Sequence, residues 1–307
     1  MKRNVKRIFW ITLLLLFSST KVFAAVYVVH DMEERVARSF VFELDRRLLL
    51  DVSLVPVRSH AFLENSAQKL KEDDLIVTVG VKSAQQVCSS LSKGVVVAVF
   101  IGKEEFQKAQ FDCSVPSSAV FSGAPLDTRF ALLKAIWFDR KPLAVLHSDH
   151  LLIDQESMSR QAKEYGFELN FHHTELDRLS VLKSVNFVLE ESAMIFSLVD
   201  SELYQNTLAQ DILKLLFYKR QVMVGPFLPF VKAGALLAID SDTEVKLQVL
   251  TNHITVWHSS RVLLPAQYPD KLRVSFNPHL IKAYGIVPPS AAFLRDEYGL
   301  CSDTQCD

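Results

Sequence analysis

Short apolar runs rich in β-branched residues alternate along this chain with segments whose apolar residues recur at helical spacing. The alternation is typical of parallel sheets flanked by helices, because each parallel strand needs a crossover segment before the next one. It predicts strands at 26–29, 75–79, 95–101, 143–147, 167–171, 194–199 and 221–224. It predicts helices at 36–50, 82–92, 126–137, 152–165, 178–190 and 203–218. The pattern therefore indicates an α/β fold.

The predicted elements form two consecutive units, 25–120 and 121–225, and Gly225-Pro226 marks a break after them. Each unit is long enough for a domain, whereas 226–307 is too short for a third. We therefore expect 226–307 to supply crossover segments that complete both lobes. Two such lobes would form a cleft at the carboxyl ends of their strands, where open α/β sheets bind ligands.

Residues 1–24 have the parts of a cleavable secretory signal. A cationic start precedes the apolar run 8–17, and Val22-Phe23-Ala24 supplies the region before cleavage. The alternative is an uncleaved anchor, but a membrane-spanning helix needs about 20 apolar residues. We predict cleavage after Ala24 and export to the periplasm.

Charge weighs against a nucleic-acid partner. Residues 1–24 carry five of the 34 Lys and Arg and none of the 35 Asp and Glu, so the remainder has a formal charge of −6. Nucleic-acid-binding domains leave a basic footprint, which this composition lacks.

The four cysteines permit two disulfides in an oxidising compartment. They are Cys88, Cys113, Cys301 and Cys306, and three connectivities are possible. Proximity in sequence favours Cys301–Cys306 and leaves Cys88–Cys113, but Cys88 is equally interpretable as an unpaired buried helix residue. We predict no metal site, because the cysteines form no C-x-x-C pair and the neighbouring His172 and His173 would point to opposite faces of a strand.

Several segments occur in the same order as in a known family. They are Asp74-Leu-Ile-Val-Thr-Val-Gly80 with Ser83-Ala84-Gln85, Phe121-Ser122-Gly123, Leu198-Val-Asp-Ser201, Phe230-Val-Lys-Ala-Gly-Ala-Leu236, Phe276-Asn277 and Lys282-Ala-Tyr-Gly-Ile-Val-Pro288. In these segments the chain resembles the periplasmic substrate-binding proteins of ABC transporters, in the group labelled for tryptophan or tyrosine. It departs from that pattern in lacking a glycine after Asp240 and in the short loop after the first strand.

The resemblance implies a type I periplasmic binding protein: two Rossmann-like lobes with parallel sheets, joined by a hinge. It implies a monomer without a cofactor that binds a small molecule, such as an aromatic amino acid, and delivers it to an ABC permease. The alternative is a periplasmic sensor or interaction subunit of the same fold, working with a receptor, a kinase or an outer-membrane transporter.

Closure of such a hinge needs polar groups at strand ends and helix starts on both lobes. In the first lobe the candidate ligand-binding residues are His30, Asp31, Gly80 and Ser83. In the second lobe they are Ser148, Asp149, Asp200, Ser201 and Tyr204, and near the crossings between lobes they are Phe230 and Asp240.

Asp200 is the leading candidate, because the resemblance implies a carboxylate there that receives a ligand ammonium or hydroxyl group. The alternative is a cap on the following helix. His30 and Asp31 are equally interpretable as a helix start, and Tyr204 either stacks on an aromatic ligand or packs in the lobe.

No enzyme is predicted. A G-x-S-x-G nucleophile motif, a P-loop and a G-x-G-x-x-G motif are all absent from the sequence. A periplasmic enzyme would require a turnover that depends on Asp200 or His30.

Overall fold

The computed structural model describes residues 25–50 and 52–302, so the predicted signal 1–24 and Cys306 lie outside the described residues. The strands are β1 (Val26–His30), β2 (Leu54–Arg58), β3 (Leu75–Val79), β4 (Val95–Ile101), β5 (Ser117–Phe121), β6 (Leu143–His147), β7 (Leu169–His173), β8 (Met194–Phe196), β9 (Met223–Val224), β10 (Leu237–Asp240), β11 (Leu272–Phe276) and β12 (Leu300–Ser302).

The helices lie between these strands. They are α1 (Glu34–Asp45), α2 (Ser59–Asn65), α3 (Val81–Ser90), α4 (Lys103–Phe111), α5 (Leu126–Ile136), α6 (Gln155–Glu164), α7 (Arg178–Glu191), α8 (Asn206–Lys219), α9 (Leu228–Ala233), α10 (Thr243–Ser260), α11 (Pro278–Ala283) and α12 (Ala291–Tyr298). No described helix is both long enough and apolar enough to cross a membrane.

The strands form two separate sheets, one in each lobe. The first sheet has the order β2-β1-β3-β4-β5 and is parallel throughout. The second has the order β12-β11-β10-β9-β8-β6-β7, and β11 runs antiparallel to β10. The predicted two-lobed α/β architecture is therefore confirmed, and at one edge of the second sheet β11 and β12 run antiparallel to the other strands.

The first sheet is covered on both faces, which explains its continuous apolar runs. Val28 and Val97 pack in one cluster with α1 and α10. Val29 and Val96 pack in another with residues of α2 and α3. Because successive strand residues point to opposite faces, covering both faces favours an apolar residue at nearly every position.

The chain passes between the lobes in three places. Residues 122–125 lead from β5 into α5, residues 241–242 lead from β10 back to α10, and residues 261–271 return to β11. On the return, Gln267 pairs with the first sheet: its N–H donates to the Ala119 carbonyl and its carbonyl accepts from the Phe121 N–H, both at 2.9 Å. The part of the chain after 225 thus supplies α10 to the first lobe and β10, β11 and β12 to the second, while the division at 120 and 225 stays a prediction.

Several predicted elements were wrong in extent or missed. The predicted helix 36–50 ends at Asp45, and the predicted strand 167–171 lies at Leu169–His173. The predicted strand 194–199 ends at Phe196, and the predicted helix 203–218 begins only at Asn206. Strand β2 was missed because Pro56 interrupts its apolar pattern, and such a residue is tolerated there because β2 is an edge strand.

Cys88 and Cys113 form a disulfide that ties α3 to the segment between α4 and β5. The alternative interpretation of Cys88 as an unpaired buried residue is therefore wrong. Cys301 is disulfide-bonded as well.

Candidate functional site between the lobes

A cavity of about 610 Å³ lies between the lobes beside the crossings. Its volume falls within the range of roughly 300–1,000 Å³ that is usual for small-molecule sites. Its lining comes from both lobes and from the crossings: Phe100, Ser122, Phe227, Leu228, Pro229, Lys232, Asp240, Ser241, Asp242, Thr243, Lys246, Arg273 and Ser275.

The apolar wall of the cavity includes the rings of Phe100 and Phe227. Phe100 has a φ of 56°, in the left-handed region that side chains with a Cβ rarely adopt. The pairing of β4 with β5 shifts at this residue, between Val99 and Ile101. Such bulges change the direction of a side chain and are frequent beside functional sites, and here the bulged residue lines the cavity.

A buried ion pair forms the floor of the cavity near the crossings. Lys246 Nζ lies 2.7 Å from Asp240 Oδ1 and also donates to the Ser241 carbonyl at 2.8 Å. The same Oδ1 accepts from the backbone N–H groups of Gly123 and Ser241. Burial raises the pKa of Asp240, and the Lys246 ammonium opposes that rise. The pair therefore joins two of the crossings and the first turn of α10.

Two polar atoms of the lining are buried without a hydrogen-bond partner among the described residues: Ser241 Oγ and Arg273 Nε. The other end of the Arg273 guanidinium binds Asp242, with Nη2 2.6 Å from Oδ2. Lys232, exposed at the rim, has no ion pair within the described part of the chain. Buried donors without partners are costly, so these groups are suited to an oxygen-bearing ligand.

A second contact between the lobes lies at the start of α4. Glu105 Oε1 accepts from the Ser201 N–H of the second lobe at 2.6 Å, and Oε2 accepts from the Gly102 N–H at 2.7 Å. Burial raises the pKa of Glu105 to about 7. Beside it, Gly102 lies so near Val199 that an added Cβ would be 2.6 Å from the Val199 Cβ. The two lobes are thus in direct contact at this point.

Asp200 and Ser148 lie together, but their bonds stay within the second lobe. Asp200 Oδ2 accepts from the Ser148 hydroxyl at 2.7 Å and from the Ser148 N–H at 3.0 Å. Its Oδ1 accepts from the Leu203 N–H at 3.0 Å, which caps the turn before α8. Asp200 is fully buried. Its observed contacts include the helix cap that the sequence offered as the alternative to ligand binding.

Other candidates of the second lobe bind one another or neighbouring residues. Tyr204 meets Phe230 in an edge-to-face contact with 5.9 Å between ring centroids, and its buried hydroxyl has no partner among the described residues. Burial, with Asp200 nearby, raises the pKa of Tyr204. Asp149 pairs at the surface with His173, with Oδ1 3.0 Å from Nε2.

The first-lobe candidates also make contacts within their own lobe. Asp31 accepts from the Ser59 hydroxyl at 2.9 Å, at the start of α2. The Ser83 hydroxyl donates to the Val79 carbonyl at 2.7 Å, and Gly80 begins α3 with a φ of 86°. His30 is buried, and its Nδ1 has no partner among the described residues. Of all the residues predicted to bind ligand, Asp240 alone lines the cavity.

Sequence reasoning missed most of the cavity. Lys246 gave a weak signal, since it is a charged residue on the apolar side of a helical stretch, beside Leu247 and Leu250. Sequence reasoning also missed Arg129. This residue is buried, with its guanidinium 4.1 Å from the centre of the Phe196 ring, and donates to the Ser197 carbonyl at 2.6 Å. Burial lowers the pKa of Arg129 to about 10.

Solved structures share this architecture at low sequence identity. One is a Streptococcus pneumoniae ABC domain in complex with L-Trp, with 14% identity, a TM-score of 0.66, and coverage of 91% of this chain and 99% of that one. The fold is that of the type I periplasmic binding proteins. A ligand-free, open substrate-binding protein with adhesive properties from Clostridium difficile has 13% identity, a TM-score of 0.60 and coverage of 91% and 98%.

A periplasmic ribose ABC transporter protein from Conexibacter woesei is more distant, with 10% identity, a TM-score of 0.51 and coverage of 90% and 99%. No family model and no curated protein matches the chain. The likeness therefore concerns the fold, and the tryptophan or tyrosine group stays a prediction.

Proposed function

We propose that this protein is a periplasmic solute-binding protein that holds a small molecule in the cavity between its lobes. The observation that carries the proposal is the interlobe cavity itself, whose lining includes two buried polar atoms, Ser241 Oγ and Arg273 Nε, that have no hydrogen-bond partner within residues 25–50 and 52–302. A ligand bound there would contact both lobes at once, so its binding energy would favour the closed arrangement. No catalytic role is proposed.

The lining favours an amino acid with an aromatic side chain. Lys232 and Arg273 suit a carboxylate, and Asp242 at the same cavity suits an ammonium group. The rings of Phe100 and Phe227 offer an apolar wall. The L-Trp bound to the pneumococcal structure of the same fold supports this choice.

We further propose that the protein works as a monomer and passes its ligand to an ABC permease. Support comes from the fold alone, since it is shared with proteins of ABC transporters. The alternative, a sensor or interaction subunit, is favoured by one observation. Gly102 packs directly on Val199, which fits lobes held in a fixed arrangement.

Calorimetric titration with L-tryptophan, L-tyrosine and L-phenylalanine tests the ligand, with tryptamine as the matched control because it lacks the carboxylate. We expect one of the amino acids to bind with micromolar or tighter affinity and tryptamine not to bind. Mass spectrometry of molecules that co-purify with the protein extends the search to other solutes. The proposal is wrong if no amino acid binds and no small molecule co-purifies.

Small-angle scattering separates the two roles. A transport protein should become more compact when the ligand is added, whereas a fixed interaction subunit should keep one radius of gyration with and without it.

A further inference from the structure

The far end of the second lobe carries an aromatic and basic surface. It comprises residues 135–141, 192–193, 214–221 and 279–287. The first three segments precede or lead into β6, β8 and β9, so they lie at the amino ends of these strands. Because β11 is antiparallel, its carboxyl end and α11 reach the same end. The interlobe cavity lies at the carboxyl ends, so this far-end surface faces away from it.

Large apolar side chains of the far-end surface are exposed to solvent. Phe138 is 81% exposed and Val287 85%, beside a cavity of about 600 Å³. Phe217 is 76% exposed and Tyr218 79%, beside a second cavity of about 420 Å³. Gln221 lines both cavities, so the two groups form one surface. Clustered exposed rings of this kind mark an interaction surface.

The surface is held in shape by contacts of its own. Trp137 and Tyr284 pack with 5.8 Å between ring centroids, and the Tyr284 hydroxyl donates to the Arg220 carbonyl at 2.5 Å. Two donors that line the larger cavity, Trp137 Nε1–H and the Ser192 hydroxyl, are buried without a partner among the described residues. An acceptor oxygen of a molecule bound there would satisfy them.

Cations accompany the rings. Lys141, Lys214 and Arg220 line the two cavities, and Asp139 is the one acid among the described residues that do so. Lys219 and Lys282 are exposed next to these residues, as are the acids Glu190 and Glu191 beside Ser192. The segments 135–141, 192–193, 214–221 and 279–287 contain six Lys or Arg and one acid, so the excess of cations belongs to this surface.

We propose that the far-end surface docks the protein on a membrane that contains anionic phospholipid. Aromatic side chains favour the boundary between lipid headgroups and acyl chains, and adjacent Lys and Arg bind anionic headgroups. Phosphate oxygens are acceptors for the Trp137 and Ser192 donors. Docking by this end leaves the interlobe cavity open, so the inference does not depend on the ligand proposed for it.

Flotation with lipid vesicles tests the proposal, using protein purified from cells that express the full 307-residue chain. We expect the protein to float with vesicles of phosphatidylcholine and phosphatidylglycerol but not with phosphatidylcholine alone. High salt should weaken the binding, because it screens the headgroup charge. Inorganic phosphate at matched ionic strength should not release the protein, since the lipid surface and not free phosphate is the partner.

Two variants and two matched controls locate the contact. We expect flotation to be lost in two double variants, Phe138→Ser/Val287→Ser and Lys141→Glu/Lys214→Glu. In the second, the affinity for the vesicles should fall by about fivefold or more for each cation changed. The first-lobe variants Phe111→Ser, at a ring 79% exposed, and Lys69→Glu should float as the unchanged protein does. Thermal unfolding confirms that each variant is folded.

Equal flotation of the far-end variants and the controls would overturn the proposal. So would equal binding to neutral vesicles, or release by inorganic phosphate. Binding to detergent-solubilised membrane proteins without any binding to vesicles would instead assign the surface to a protein partner.

Discussion

The Lys246 ammonium lies 2.7 Å from the Asp240 carboxylate in a setting where both side chains are more than 90% buried. Asp240 ends a strand of the second lobe, and Lys246 lies in the first turns of the helix that returns to the first lobe. The pair therefore sits where the chain crosses, and its charges depend on each other because little water reaches them.

Replacing Lys246 with Met should destabilise the protein by about 3–5 kcal/mol, because the Asp240 carboxylate would be left buried without its counter-charge. Urea denaturation measures the change. Lys232→Met is the control, since Lys232 lines the same cavity but is exposed, and should cost less than about 1 kcal/mol. A similar loss in both variants would show that the ion pair has no special role.

Stability should fall as pH rises from about 4.5 to about 7, in part because of Glu105. Burial raises its pKa in the folded protein to about 7 from 4.5, so the folded state holds a proton that the unfolded state has released. The stabilisation is complete below the unfolded pKa and is lost as pH rises through the folded pKa. Denaturation at several pH values should show this slope, and Glu105→Gln should flatten it, whereas the exposed Glu72→Gln should leave it unchanged.

Gly102→Ala should separate the lobes. The added Cβ would lie 2.6 Å from the Val199 Cβ, and Gly102 has a φ of −73°, so the effect is steric and not a backbone strain. We expect a larger radius of gyration by small-angle scattering. Adding Val199→Gly, which removes the Cβ and Cγ1 that the new methyl group meets, should bring the radius back towards the original value. An unchanged radius in the single variant would show that the lobes do not rely on this contact.

Arg273→Gln should weaken the binding of an aromatic amino acid by about 10- to 100-fold, because a charge-assisted hydrogen bond to the ligand carboxylate is lost. Calorimetric titration with L-tryptophan, L-tyrosine and L-phenylalanine measures the loss. Arg295→Gln is the control, since Arg295 is exposed and pairs only weakly with its neighbour Asp296. Unchanged affinity in Arg273→Gln would place the carboxylate elsewhere.

The sequence identified the strands that are buried on both faces. β3, β4 and β6 were predicted with their observed bounds, because a strand covered on both sides is apolar at nearly every position and can be recognised locally. It failed for α10, whose place is set by packing of Leu250 and Ile254 against Val97, more than 150 positions earlier in the chain. A local pattern contains no information about such a partner.

For the candidate site, too, some residues could be predicted from the sequence and others could not. The expected crossings between lobes led to Asp240, which does line the cavity, whereas strand-end position led to Asp200 and Asp31, whose carboxylates bind Ser148 and Ser59. A polar residue at a strand end has the same sequence signature whether it caps its own lobe or faces the other one. Only the paths of the crossings distinguish the two cases.

By itself, then, the sequence determined a two-lobed α/β protein, because its apolar periodicities follow from hydrogen-bonding geometry and burial that act over a few residues. The tertiary structure alone decided which groups meet between the lobes. Phe100 lines the cavity through a bulge in β4, Lys246 reaches Asp240 because α10 crosses to the first lobe, and Arg273 arrives on an antiparallel strand. Each of these contacts joins segments that are close only after folding.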